Sequence, residues 1–236
     1  MRTASKIFAL AVALGACGGG SESARPGKLG VHIENRYIDS VAMDQKQAVQ
    51  AAQNAWSAAK NENSTAEAAF NSVSLTIVRN DRDKAKLELS SANSNKKSAE
   101  ASADTNKINT ATKELRSAEL GVKAADARIR YFETYRTYLR QAWLAAEETM
   151  YWREAQYELA KAQLAQNNHI APKGVAFDSF AKQEAERNKR ATSAKSRVDA
   201  DKTKAASARE SWLKTQQMAD QAKGTPSSFP DPMSGK

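Results

Sequence analysis

The sequence predicts an all-α protein: a long antiparallel three-helix coiled-coil bundle with a protruding hairpin tip. Three observations lead to this prediction. Helix-forming residues dominate the chain, aromatic residues make up only 7% of it, and the mean hydropathy is −0.68. Between residues 31 and 223, the only glycines and prolines are Gly121, Pro172 and Gly174. Apolar residues in the same stretch recur every seven residues, which is the spacing of a coiled-coil seam.

Residues 1–16 have the pattern of a cleaved export signal. Two positive charges, on Arg2 and Lys6, precede a short apolar run over residues 7–14. Such a run is too short to span a membrane permanently, but it fits the apolar region of a secretory signal. The run closes with Leu14-Gly15-Ala16-Cys17.

This tetrapeptide resembles the lipobox of bacterial lipoprotein precursors, in which a leucine and two small residues precede a cysteine. The resemblance implies cleavage between Ala16 and Cys17 and a diacylglycerol group on the Cys17 sulfur, which makes membrane lipid the first expected partner. The alternative is an ordinary signal followed by a chance cysteine, but such a site requires a small residue where Leu14 stands. Because Gly18 follows the cysteine in place of aspartate, the resemblance favours the outer membrane of a Gram-negative cell, on its periplasmic side.

Residues 17–40 are predicted to be the lipidated cysteine and a flexible tether. The first part, GGGSESARPG over residues 18–27, has the composition of a flexible linker. Residues 28–40 alternate apolar and polar side chains, as a short extended segment does. Cleavage removes two of the 36 basic residues, so the mature charge is 34 − 27 = +7. A basic chain is suited to nucleic acid or anionic surfaces, but export excludes nucleic acid as a partner.

The bundle is predicted over residues 41–223, with helices at about 41–104, 107–168 and 176–223. The middle helix has the clearest seam. Its members are Ile108, Leu115, Val122, Ile129, Arg136, Trp143, Met150, Tyr157 and Leu164. The seam of the first helix shifts by one residue between Ile77 and Val78, which we interpret as a stutter. A break at residues 169–174 precedes the third helix, and residues 224–236, with three prolines, are predicted to be a disordered tail.

The turn between the first two helices is not marked by glycine or proline. Asp104-Thr105-Asn106 is the best candidate, because short polar side chains compete with helical hydrogen bonds. A hairpin centred there pairs Phe70 with Trp143 and Trp56 with Tyr157. The alternative is one continuous helix over residues 41–168. With the hairpin, the third helix is shorter than the other two, so residues 90–122 would protrude as a polar tip.

The sequence predicts no catalytic, cofactor or metal site. His32 and His169 have no cysteine or carboxylate at a metal-ligand spacing. The sequence also contains no phosphate-binding glycine loop, nucleophile elbow or paired-histidine zinc motif. We therefore expect a protein that is not an enzyme and carries only the lipid on Cys17.

A cluster of aromatic residues in the middle helix does not fit a single seam. Its off-seam members are Tyr131, Tyr135, Tyr138 and Trp152. We expect them at the rim of the bundle, either flanking the third helix or exposed as a partner surface.

The last residue, Lys236, adds a second resemblance. Lipobox, heptad helix and final lysine are similar to the murein lipoprotein family, whose final lysine is joined to peptidoglycan. This resemblance implies a peptidoglycan link at Lys236. The sequence departs from that family in its length, in its predicted hairpin, and in Ser234-Gly235 before the lysine.

These features predict a membrane-anchored envelope lipoprotein that acts as a non-enzymatic spacer, scaffold or interaction module, with peptidoglycan or other envelope proteins as partners. One alternative is a basic helical periplasmic holdase for unfolded or anionic clients. Another is a subunit of a larger envelope complex for transport or motility.

Overall fold

In a computed structural model, the described residues, 26–170 and 172–234, form an all-α bundle in which no β-strand occurs. Two short 3-10 turns, Asn35–Tyr37 and Met43–Lys46, come first. The helices are α1 (Gln47–Ser72), α2 (Thr76–Ala101), α3 (Thr105–Asn167) and α4 (Phe177–Lys223). At 63 residues, α3 is roughly 94 Å long, and the other helices run antiparallel to it. None of the described helices is long and apolar enough to cross a membrane.

The predicted hairpin is confirmed, and the alternative of one continuous helix is wrong. The chain turns at Ala103, whose φ of 50° lies in the left-handed region. Asp104 then caps α3, because its Oδ1 accepts the N–H groups of Asn106 at 2.9 Å and Lys107 at 3.2 Å. Both predicted ring pairs stack, with centroid separations of 5.7 Å for Phe70 and Trp143 and 5.5 Å for Trp56 and Tyr157.

The first predicted helix, at about 41–104, differs from the structure. It starts later and is divided into α1 and α2 by a non-helical step, where Val73 is extended with ψ of 108°. Val73 and Leu75 both pack against the buried cluster that contains Phe132 and Trp212. The one-residue shift in the seam therefore marks a break in the helix. Because Val73 is not helical, Val73 and Leu75 can both reach the core although they are close in sequence. A stutter within a continuous helix would keep them on different faces of that helix.

Both terminal segments also differ from expectation, because they are ordered against the bundle. We call residues 26–41 the strap and residues 225–234 the clasp. The strap, expected to be tether, buries four apolar side chains: Leu29, Ile33, Ile38 and Val41. The clasp occupies most of the predicted disordered tail and makes the side-chain contacts given below. Ala16, Cys17 and Lys236 lie outside the described residues, so the cleavage, lipid and peptidoglycan predictions there remain predictions.

The hairpin tip consists of α2 and α3 alone. The outermost groove is lined by residues 95–102 of α2 and its turn and by residues 106–114 of α3, without a residue of α4. The buried side chains here are alanines, Ala99 and Ala111. Small side chains let two helices approach closely. The predicted tip, residues 90–122, is longer than the observed one, because Ala219 and Lys223 of α4 line the same cleft as Ala92 and Gly121. Only the outermost part, next to the turn, protrudes without α4.

Candidate functional site

A buried ion pair on α3 holds the middle of the strap. Lys161 Nζ lies 2.8 Å from Glu158 Oε1, and the two side chains are only 4% and 6% exposed. Glu158 Oε2 accepts the N–H of Ile33 at 2.8 Å. Lys161 Nζ donates to the carbonyl oxygen of Ile33 at 2.7 Å and to Asn35 Oδ1 at 3.2 Å. The strap thus supplies the hydrogen bonds that compensate for removing two charges from water.

Two side chains of α4 hold the amino-terminal part of the strap. Gln183 Oε1 accepts the N–H groups of Gly30 at 2.9 Å and Val31 at 3.0 Å, and its Nε2 donates to the Val31 carbonyl at 3.0 Å. This amide side chain therefore pairs with the strap backbone as a neighbouring strand would. The buried Arg187 donates to the carbonyl oxygens of Gly27 at 2.7 Å and Lys28 at 3.1 Å.

Pro26, the first described residue of the strap, lies beside the middle of the bundle at a basic surface. Pro26 is buried and lines a cleft of about 550 Å³ together with Leu144 of α3 and Arg190 of α4. Residues 187–197 contain five basic residues and no acidic one. Arg190 lies 3.1 Å from Glu148 Oε1. Pro26 therefore lies next to a basic stretch of α4.

The clasp is attached through a carboxylate. Asp231 accepts hydrogen bonds from the Tyr131 hydroxyl and from Arg209 Nε, both at 2.7 Å. Tyr131 Oη in turn accepts the N–H of Met233 at 3.2 Å. The ring of Phe229 covers the Arg128 guanidinium, whose carbon lies 4.2 Å from the ring centroid. These contacts join the clasp to both α3 and α4.

The same contacts shift two pKa values in opposite directions. Burial, reinforced by the hydrogen bond to Asp231, raises the pKa of Tyr131. Burial of the Asp231 carboxyl acts to raise its pKa as well, but the hydrogen bonds from Arg209 and Tyr131 outweigh burial and lower it below the ordinary value. The clasp is therefore bound by an ionised aspartate and a neutral tyrosine.

A cleft of about 660 Å³ lies between α2, α3 and the end of α4. Its walls carry small side chains such as Ala92 and Gly121, and Phe229 of the clasp forms part of its rim. Arg128, which is 2% exposed, also lines the cleft. Its NH1 lies 2.7 Å from Asp81 Oδ2, whereas its Nε has no hydrogen-bond partner among the described residues.

Tyr131, Tyr135 and Trp152, three of the four aromatic residues predicted at the rim, face α4. Tyr131 is fully buried, and its ring stacks on that of Trp212 with the centroids 5.4 Å apart. The prediction that Tyr131 could form part of a partner surface is therefore wrong. Trp152 Nε1 donates to Glu184 of α4 at 2.7 Å. Tyr135 and Tyr138 are half-buried and continue the row of rings, with centroids 5.9 Å apart. The partly buried positions of Tyr135 and Trp152 fit the rim interpretation, because α4 widens the buried face of α3.

Sequence reasoning missed the strap and clasp contacts. The one signal for the strap was the alternation over residues 28–40, and the clasp had none. The only histidine near the strap's ion pair, His32, has Nδ1 3.7 Å from Glu158 Oε1. Groups of three or more side chains able to hold a metal ion do not occur in the described part of the chain.

Comparisons with protein-family models, with curated proteins and with solved structures find no match.

Proposed function

We propose that the protein is an envelope lipoprotein, anchored through lipid on Cys17 to the periplasmic side of the outer membrane, and that it acts as a non-enzymatic spacer or scaffold. The observation that carries the proposal is the combination of the lipobox with a docked strap. Nine residue steps separate Cys17 from Pro26, where the strap begins. An anchor on Cys17 would thereby be connected, through the strap, to the middle of the bundle.

The positions of the strap and the clasp support a connecting role. On α3, the strap's partner Glu158 directly follows the seam residue Tyr157, whereas the clasp's partner Arg128 directly precedes the seam residue Ile129. Successive residues of an α-helix are about 100° apart, so the two partners lie on opposite flanks of the seam. A bundle with this arrangement can hold a bilayer on one flank and a second envelope component on the other.

Peptidoglycan is the second component that we propose. The clasp fixes Ser234, two residues before Lys236, on the flank opposite the strap. A peptide bond from the Lys236 amine would then make the bundle a covalent spacer between bilayer and cell wall. The cleft of about 660 Å³ has the size of a small-molecule pocket rather than of an unfolded client, so we favour the spacer over the holdase.

Mass spectrometry of the mature protein tests the anchor. We expect a chain that begins at Cys17 and carries a diacylglycerol mass, partitions into the detergent phase, and loses both properties in the Cys17→Ser variant. An unmodified thiol in a soluble fraction would contradict the proposal.

Detergent-boiled sacculi test the wall link separately. We expect a peptide that contains Lys236 to stay on purified peptidoglycan, and the Lys236→Ala variant to leave none. If all the lipidated protein remains in the detergent phase, the covalent link is wrong, although the lipid anchor is not.

A further inference from the structure

We infer that the bundle lies along the bilayer, with the flank of α4 that carries Lys189, Arg190 and Arg197 against anionic lipid headgroups. The inference rests on the proposed anchor at Cys17. It gives the proposed spacer a side-on orientation.

The first step is the reach of the chain before the strap. Pro26 lies level with Leu144 of α3. Leu144 is 23 residues, or roughly 35 Å, from the end of α3 at Asn167. It is 39 residues, or roughly 58 Å, from the other end of α3, at Thr105. Nine residue steps span at most about 32 Å. The bundle cannot stand on its tip with Cys17 in the bilayer. Its other end, roughly 35 Å away, lies at the limit of the greatest covalent reach of about 32 Å.

The second step is the charge at the point where the strap begins. Gln183 holds the strap, and Arg190, Arg197 and Lys204 follow it at seven-residue spacing on the same flank of α4. This flank therefore continues past Pro26 as a row of basic residues. All three of these cations are exposed. Lys189 is exposed beside them and lines the same cleft as Arg197.

The third step is the balance of charge on this flank. The carboxylates here are already paired: Glu148 and Glu186 with Arg190, and Asp201 with Lys204. Lys189 and Arg197 form no ion pair within the described part of the chain. Lys189 and Arg197, two cations without an ion pair among the described residues, therefore lie near Pro26, on the side of the proposed anchor. Their charge and this position both favour phosphate-bearing anionic headgroups as the partner.

Energy transfer to the bilayer tests the orientation. The full lipidated chain has one cysteine, which the lipid blocks, so Ser193→Cys and Lys195→Cys each provide a single site for a donor dye. The two sites are about 200° apart around α4. In phosphatidylcholine vesicles that contain phosphatidylglycerol and a headgroup acceptor dye, we expect greater transfer from position 193 than from position 195. Equal transfer, or the reverse order, would overturn the inference.

Charge reversal tests the partner. In the full mature chain with Cys17→Ser, we expect Lys189→Glu/Arg197→Glu to weaken binding to phosphatidylglycerol vesicles by more than about 30-fold, since each lost basic residue near an anionic surface contributes about fivefold and the two introduced carboxylates add repulsion. The matched control Lys195→Glu/Lys202→Glu reverses two exposed lysines on the other side of α4 and should change binding little, because salt screens charges beyond about 10 Å.

The remaining outcomes are also decisive. If both double variants bind equally, headgroups do not select this flank and the inference is wrong. If the vesicle-bound protein binds an acidic protein through Lys189 and Arg197 but shows no preference for phosphatidylglycerol, the partner is a protein and not the bilayer. A wild-type chain that takes up dye at Cys17 would overturn the lipid anchor itself.

Discussion

Replacing Lys161 with methionine should weaken the attachment of the strap. Lys161 Nζ contacts Glu158 Oε1 at 2.8 Å, the Ile33 carbonyl at 2.7 Å and Asn35 Oδ1 at 3.2 Å. Methionine keeps the apolar stem but removes the charge and all three contacts. The Glu158 side chain, 6% exposed, would keep the Ile33 N–H and a longer contact with His32.

The expected cost is about 3 kcal/mol in the free energy of unfolding. Removing one partner of a buried ion pair generally costs about 3–5 kcal/mol. The lower end applies here, because lifting the strap would let water reach Glu158. Urea unfolding followed by circular dichroism gives the free energy by linear extrapolation. Hydrogen exchange of the Ile33 amide should accelerate in parallel.

Two further variants make the result specific. The pair of Lys96 and Glu100, at 3.6 Å with side chains 35% and 52% exposed, is the matched control, and Lys96→Met should cost less than about 0.5 kcal/mol. The double variant Glu158→Gln/Lys161→Met should recover part of the loss, because no unpaired charge stays buried. Our reasoning would be refuted if Lys161→Met cost no more than Lys96→Met and left the Ile33 amide equally protected.

Three more predictions follow from the turn, the ring stack and the clasp. Asp104→Ala removes the cap of α3 and should lower the free energy of unfolding by about 1 kcal/mol; an unchanged value in urea unfolding would contradict the cap. Trp212→Ala removes a side chain that is 2% exposed and stacked on Tyr131, and should cost about 3–5 kcal/mol by the same measurement; a loss below about 1 kcal/mol would contradict the stack. Because the pKa of Asp231 is lowered in the folded protein, its contribution is present above the ordinary carboxyl pKa of about 4 and is lost as the pH falls through its lowered value. The protection factor of the Met233 amide, which corrects for the pH dependence of intrinsic exchange, should therefore fall below about pH 4, and Asp231→Asn should abolish that fall; a fall that persists in Asp231→Asn would assign the effect to another group.

The hairpin could be predicted because its signals are local or periodic. The seam of α3 repeats every seven residues, and the seam of α1 contains Trp56 and Phe70 at the spacing that matches Tyr157 and Trp143. Only one turn position brings both ring pairs together. Asp104 then supplies the capping chemistry without any glycine.

The strap and clasp could not be predicted because their partners lie far away in sequence. Gln183 is 153 residues from Gly30, and Asp231 is 100 residues from Tyr131. The clasp's own sequence, rich in proline and serine, has the composition of a disordered tail. Its order comes from the cations and the tyrosine hydroxyl that the bundle presents, and no local pattern reports these.

The order of contacts along the strap determines how it would carry load in the proposed lipoprotein. A pull at Pro26 away from the bundle meets Arg187 first, then Gln183, and reaches the pair of Glu158 and Lys161 last. The first contact is a hydrogen-bonding cation at the edge of the strap, whereas the last is a buried pair that binds both the N–H and the carbonyl of one residue. Contacts loaded one after another yield separately, so the strap can lengthen by several residues before its strongest attachment is strained. A tether that lengthens in this way lets the bundle stay on the bilayer while the distance to a second envelope component varies.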